Sequence, residues 1–172
     1  MAKLQDIIQW CDQTLKSTEF KDYAPNGLQI EGKTEVRKIL AAVTASQDAI
    51  DAAIRENADL LLVHHGYFWK GEAYPITGMR GKRIKSLIQH DISLLAYHLP
   101  LDSHPSLGNN AAIADLLKLE RIEALDPSER HPIGNIGYLK QPMPVEEFKT
   151  FVSEKLKFDV THLPADKTMI EK

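Results

Sequence analysis

The sequence predicts an α/β fold, a mostly parallel sheet flanked by helices, followed by the start of a second, smaller α/β domain. Three observations carry that expectation. Between Val36 and Tyr97 the chain alternates strand, helix, strand, helix, strand, the order of right-handed β-α-β units. Leu60-Leu61-Leu62-Val63 is a continuous apolar run of the kind found in strands buried on both faces. From about Asp126 the character changes, with Pro127, Pro132, Pro142 and Pro144 bracketing short segments. The expected division is 1–125 for the N-terminal α/β domain and 126–172 for the beginning of the second.

Each element has its own signal. Leu4, Ile7, Ile8, Cys11 and Leu15 fall at helical spacing and predict an amphipathic helix from about Leu4 to Lys16. Asn26-Gly27 marks a tight turn into a short strand that stops at Gly32. Val36 to Val43 reads as a strand, with Thr44 or Ser46 as N-cap of a helix running to about Glu56 and Asn57 as its left-handed end. The Leu60 strand follows, then an aromatic loop, Tyr67-Phe68-Trp69, then a helix carrying Ile84, Leu87 and Ile88 and a strand from Ile92 to Tyr97. Pro100 stops ladder pairing, and Gly108-Asn109-Asn110 caps a helix of Ala111 to Leu117. Beyond Asp126, a strand within Ile133 to Lys140, a helix opened by Pro144 and a last short strand, Phe158 to Leu163, are expected.

Composition removes whole classes of function. Hydrophobic residues at 43% and charged residues at 26% are those of a globular chain, not a disordered one. A net charge of −3 gives no general attraction to nucleic acid or membrane, so nucleic-acid binding is not indicated by charge. No apolar run is long enough to span a bilayer and the N-terminus lacks a signal-peptide core, so a cytoplasmic location is expected. Cys11, the single cysteine, excludes a disulfide framework or a thiolate metal site and suits core packing. There is no P-loop, dinucleotide fingerprint or serine nucleophile elbow.

What remains is a set of strand-end ligands. In parallel sheets ligands gather beyond the carboxyl ends of the strands. His64 and His65 end one strand, and His98 and Asp102 follow another. Neighbouring strand residues point to opposite faces, so His64 and His65 share a site only if the backbone turns, which Gly66 permits. Nitrogen and oxygen ligands of this kind suit zinc, iron, manganese, cobalt or nickel. Two splayed histidines serve two neighbouring ions better than one, and ions roughly 3.5–4 Å apart can share and acidify a water. Histidines satisfied by backbone carbonyls are the alternative. It is the stronger reading for a lone histidine, and four candidate ligands on two strand ends reverse it. Tyr67, Phe68 and Trp69 could stack on a planar substrate or plug a subunit interface, and Arg80, Lys82, Arg83 and Lys85 could bind phosphate or form a solvated face.

With those residues assembled, the chain resembles the YbgI-like dinuclear metal-centre family, the GTP cyclohydrolase type-two homologues, related to the eukaryotic Nif-three-like proteins. The matching pieces are Asp22-Tyr23-Ala24-Pro25-Asn26-Gly27-Leu28-Gln29-Ile30-Glu31-Gly32, Val63-His64-His65-Gly66-Tyr67-Phe68-Trp69-Lys70-Gly71, and His98-Leu99-Pro100-Leu101-Asp102 through Gly108-Asn109-Asn110. The resemblance implies a Nif-three-like fold, two divalent metal ions, His64 and Asp102 on one metal and His65 on the other. His98 lies nearby with acid/base duty, as the catalytic candidate. It implies a homo-oligomer, a toroidal hexamer, and a metal-dependent hydrolase acting on a nucleotide or heterocyclic small molecule. A non-catalytic oligomeric protein that binds metal or ligand is the alternative. The family's later His-x-x-x-Glu motif has no match in residues 1–172. A truncated chain, or one completed by a partner, with impaired activity, is therefore expected.

Overall fold

In the computed structural model, which describes residues 1–166 and 168–172, the chain divides into two compact units, Met1–Leu101 and Asp102–Lys172. The first unit opens with β1 (Ala2–Lys3) and α1 (Leu4–Leu15), whose buried stripe is Leu4, Ile8 and Cys11. Lys16 ends α1 in the left-handed region. Then come β2 (Gly27–Ile30), β3 (Glu35–Val36), which pairs with β1, and β4 (Ile39–Thr44). α2 (Gln47–Arg55) is capped by Ser46, whose hydroxyl accepts from the Ala49 N–H at 3.2 Å. Asn57, at φ 52, turns the chain into β5 (Leu60–His65). α3 (Gly78–Gln89) and β6 (Ser93–Ala96) complete the unit's sheet.

The sheet runs β2-β6-β5-β4. β4, β5 and β6 are parallel, and β2 joins β6 antiparallel at one edge. Strand alternation splits the core into two layers. Leu61, Val63, Leu94 and Ala96 pack with Ile50, Ala53, Ile84 and Leu87 of α2 and α3. Leu60, Leu95 and Tyr97 pack with Leu4, Ile8 and Cys11 of α1. Leu60, Leu61, Leu94 and Leu95 are fully buried, and each such side chain contributes roughly 1.5–3 kcal/mol by leaving water. β4 is an outer strand, and its Ile39 and Val43 are exposed.

The boundary between units lies within α4 (Leu99–Ser103), a short helix where the sequence predicts only a strand exit. Pro100 sits in its first turn, where a missing N–H costs nothing. The second unit continues with α5 (Asn109–Leu116), β7 (Glu120–Ala124) and β8 (Asn135–Tyr138). β9 (Met143–Pro144), α6 (Val145–Leu156) and β10 (Met169–Ile170) follow. β7 and β8 pair antiparallel, with the Arg121 guanidinium 3.9 Å from the centre of the Tyr138 ring. β9 pairs with β10.

Further expectations change, beginning with the single strand expected from Val36 to Val43, which is two, β3 and β4. The compositional shift at Asp126 falls inside the second unit. Phe158 to Leu163 is not a strand: Lys157 leaves α6 in the left-handed conformation, the Val160 N–H donates to Ser153, and Phe158 and Leu163 are exposed. Ile88 of α3 is likewise exposed, leaving Ile84 and Leu87 to the core. No helix among the described residues is long and apolar enough to cross a membrane.

Candidate metal centre

β5 and β6 run side by side, with Val63 paired to Ala96 and the Tyr97 N–H donating to the Val63 carbonyl at 3.0 Å. Their carboxyl ends therefore deliver His64, His65 and His98 to one place. The ring centroids are 4.4 Å apart for His64 and His65, 5.0 Å for His64 and His98, and 5.6 Å for His65 and His98. One nitrogen from each ring lies within 4.8 Å of the others, and all three residues are half-buried.

His64 and His65 meet without the turn expected at Gly66. Both belong to β5, and Gly66 is not among the glycines with positive φ. Gly66 is required for close approach instead: a Cβ there would collide with the Gln29 carboxamide and lie 2.7 Å from the Ala96 Cβ.

Each ring is held through its Nδ1. His64 Nδ1 lies 2.9 Å from the Tyr97 carbonyl, which can only accept, so the nitrogen donates. His65 Nδ1 lies 3.2 Å from the Thr44 hydroxyl. His98 Nδ1 lies 2.8 Å from Asp22 Oδ1, on a carboxylate whose side chain is 3% exposed. The sequence alone does not single out Asp22 as a site residue, yet it accepts three further hydrogen bonds. The Tyr23 N–H donates to Oδ1 at 2.6 Å; the Asn26 amide and the Leu99 N–H donate to Oδ2, each at 2.9 Å. Burial alone would raise its pKa, but the donors, His98 foremost, outweigh it and hold the carboxyl below the ordinary range. Asn26 Oδ1 accepts from the His98 backbone N–H at 2.8 Å, and Gln29 Oε1 accepts from the Tyr67 N–H at 2.7 Å. The only signal for these three roles in the sequence is their place in the Asp22 to Gly32 motif, which gives no hint of where that motif docks.

Asp102 belongs to the second unit, where its Oδ1 accepts from the Asn109 amide at 2.8 Å and its carbonyl accepts from Asn110 at 3.3 Å. Tyr67 is not a stacking platform. It is buried, its hydroxyl donates to the Ala45 carbonyl at 2.7 Å, and desolvation pushes its pKa up to about 12. Trp69 remains at the site, edge-on to the His98 ring at 4.9 Å, with its indole N–H on the Gly66 carbonyl at 3.1 Å. A cleft of about 640 Å³ beside it is lined by Phe68, Trp69, Lys70, Tyr74, Ile76 and Arg80. The Arg80 guanidinium is committed to the Glu72 carboxylate at 2.7 Å and the Ala73 and Pro75 carbonyls, so it pins the aromatic loop.

The donor set fits a divalent cation. Metal-bound histidines characteristically donate their second nitrogen to a carbonyl or carboxylate, which fixes the ring and leaves Nε2 as the ligand atom. His64 is held in that way by the Tyr97 carbonyl; His98 is held likewise by Asp22, which leaves its Nε2 for a proton.

The family model for Duf34/NIF3 (NGG1p interacting factor 3) matches residues 2–172. The chain belongs to the Duf34/NIF3 family. It is 52% identical over 152 residues to the GTP cyclohydrolase 1 type 2 homolog of Haemophilus influenzae, covering 88% of this chain and 60% of that protein. The corresponding Escherichia coli protein is 46% identical over 154 residues, 90% of this chain and 60% of its own. Among solved structures, protein ybgI, described as of unknown function, superposes with a TM-score of 0.85 at 44% identity over 92% of this chain and 62% of that one. TTHA1606 from Thermus thermophilus gives 0.87 at 31% identity over 99% of this chain and 68% of its own. The chain thus spans about 60% of the length of the curated Duf34/NIF3 relatives it matches.

Proposed function

We propose that the strand-end imidazoles of the first unit are the protein part of a divalent-metal centre in a hydrolase-like protein that acts on a small nucleotide or heterocyclic substrate. The observation that carries this reading is the convergence of three imidazole nitrogens within 4.8 Å, on rings held through Nδ1. His64 and His65 would each hold an ion, and Asp102 is the carboxylate that the resemblance supplies. A pair of divalent cations such as iron, zinc or manganese brings Lewis acidity to a hydrolytic water. His98 takes the proton at Nε2, and the Asp22 carboxylate stabilises the imidazolium that results. Trp69 packs edge-on against one side of the His98 ring. The nucleotide-like substrate follows from the name that the relatives carry, and a ring-shaped homo-oligomer from the resemblance; sedimentation of the purified chain checks the latter, and a monomer would refute it.

Zinc or manganese titration of the metal-free protein, followed by thermal unfolding, tests the centre. A cation that binds only the native state at a hundred times its dissociation constant stabilises by about 2.7 kcal/mol. His64→Ala and His65→Ala should each abolish most of that increment. An unchanged melting temperature in the parent protein would refute the reading. Turnover of supplied nucleotides, lost in His98→Ala with metal binding retained, separates a hydrolase from a protein that only binds metal.

A further inference from the structure

We infer that Asp22 is the positioning residue of this site: it fixes His98 in the tautomer that carries its proton on Nδ1 and turns the Nε2 lone pair toward the face shared with His64 and His65. The inference rests on the metal-centre reading for its purpose, but its geometry stands without a metal.

A carboxylate with no proton of its own can only accept, so the 2.8 Å contact makes His98 Nδ1 the donor. The bond is charge-assisted and formed where the Asp22 side chain is almost out of water, the setting in which such bonds are strongest. Neither oxygen is loose. Oδ1 faces His98 and the Tyr23 N–H, Oδ2 faces the Asn26 amide and the Leu99 N–H, and the four donors hold the carboxylate in one orientation. The same loop grips the His98 backbone through Asn26, so the ring is fixed at both ends by residues more than seventy positions earlier. The Asp22 to Gln29 stretch, which contributes no ligand, thereby becomes the mould of the site: Asp22 for the ring of His98, Asn26 for its backbone, and Gln29 for the chain just past His65. In water a neutral histidine side chain favours the proton on Nε2, which would put the lone pair on Nδ1 against the Asp22 carboxylate and leave Nε2 without one.

Nitrogen-15 spectra of histidine-labelled, metal-free full chain at alkaline pH read the tautomer directly. The resonances that vanish in His98→Gln should show a protonated Nδ1 and a bare Nε2. In Asp22→Asn the charge is gone, and the Nε2-protonated form should rise about tenfold, while the His64 ring keeps its form because its partner is the Tyr97 carbonyl. Asn26→Ala, which removes one of the four donors to the carboxylate but keeps its charge and its contact with His98, should lower the melting temperature and leave the His98 proton on Nδ1. A parent protein with His98 protonated on Nε2, or a folded Asp22→Asn with an unchanged spectrum, would overturn the inference. Should Asp22→Asn fail to fold, the parent spectrum alone decides. Zinc that fails to bind a protein with the expected tautomer would defeat the metal reading and not this one.

Discussion

The two units of this chain are built to different densities. Among the described residues, the buried apolar side chains lie in the first unit except Ala114 and Leu117. The first unit has a four-stranded sheet with helices against both faces; the second has two-stranded ribbons, and α6 buries no residue. A two-stranded ribbon is marginal in water, whereas a parallel sheet covered on both faces is rigid. The three histidines stand on the rigid unit, and that is where a site held to a fraction of an ångström has to be built.

Substitutions should therefore rank by unit. Leu95→Ala, at a position with no exposure between β2 and β5, should cost about 2–5 kcal/mol in chemical denaturation. Gly66→Ala should follow at about 1–3 kcal/mol, because its methyl must displace the Gln29 side chain and the Ala96 methyl and not because of its backbone. Asp59→Asn should cost about 1–2 kcal/mol at neutral pH. Its carboxylate receives Lys33 at 2.8 Å and the Arg37 and Lys38 N–H groups at 2.9 and 3.2 Å, and these donors, Lys33 first, hold its pKa below the ordinary range. A depressed folded pKa gives stability that is present above the unfolded value of about 3.9 and is lost as pH falls through the folded one. The gap between parent and variant should accordingly close in acid, below about pH 4. Ile122→Ala in β7, at an exposed position, should stay within about 0.5 kcal/mol. Amide exchange should rank the same way, slowest at β5 and β6 and fastest at β7 to β10. A second unit as protected as the first would refute the contrast.

The sequence was readable in proportion to the same density. Leu60 to Val63 could be placed because burial on both faces demands an unbroken apolar run, and Ser46 and Asn57 because a cap and a left-handed exit are local requirements. β7 was invisible: Glu120-Arg121-Ile122-Glu123 has almost no buried face to leave a period in the sequence. Phe158 to Leu163 misled for the opposite reason, since its apolar residues suggest a strand but nothing buries Phe158 or Leu163. At the site, the histidines showed themselves by residue type and by strand-end position. Asp22, Asn26 and Gln29 did not, because their work is done across a fold that brings positions 22 and 98 together, and no local pattern records a contact of that range.

The edge-on packing of Trp69 against His98 has an optical consequence. The chain has two tryptophans, and Trp10 is exposed on α1. Replacing Trp10 by phenylalanine leaves a single indole emitter, whose excited state sits 4.9 Å from an imidazole that changes its electron demand when a proton or cation arrives. The fluorescence of that one ring would report occupancy of the centre in real time, with no dye and no substrate.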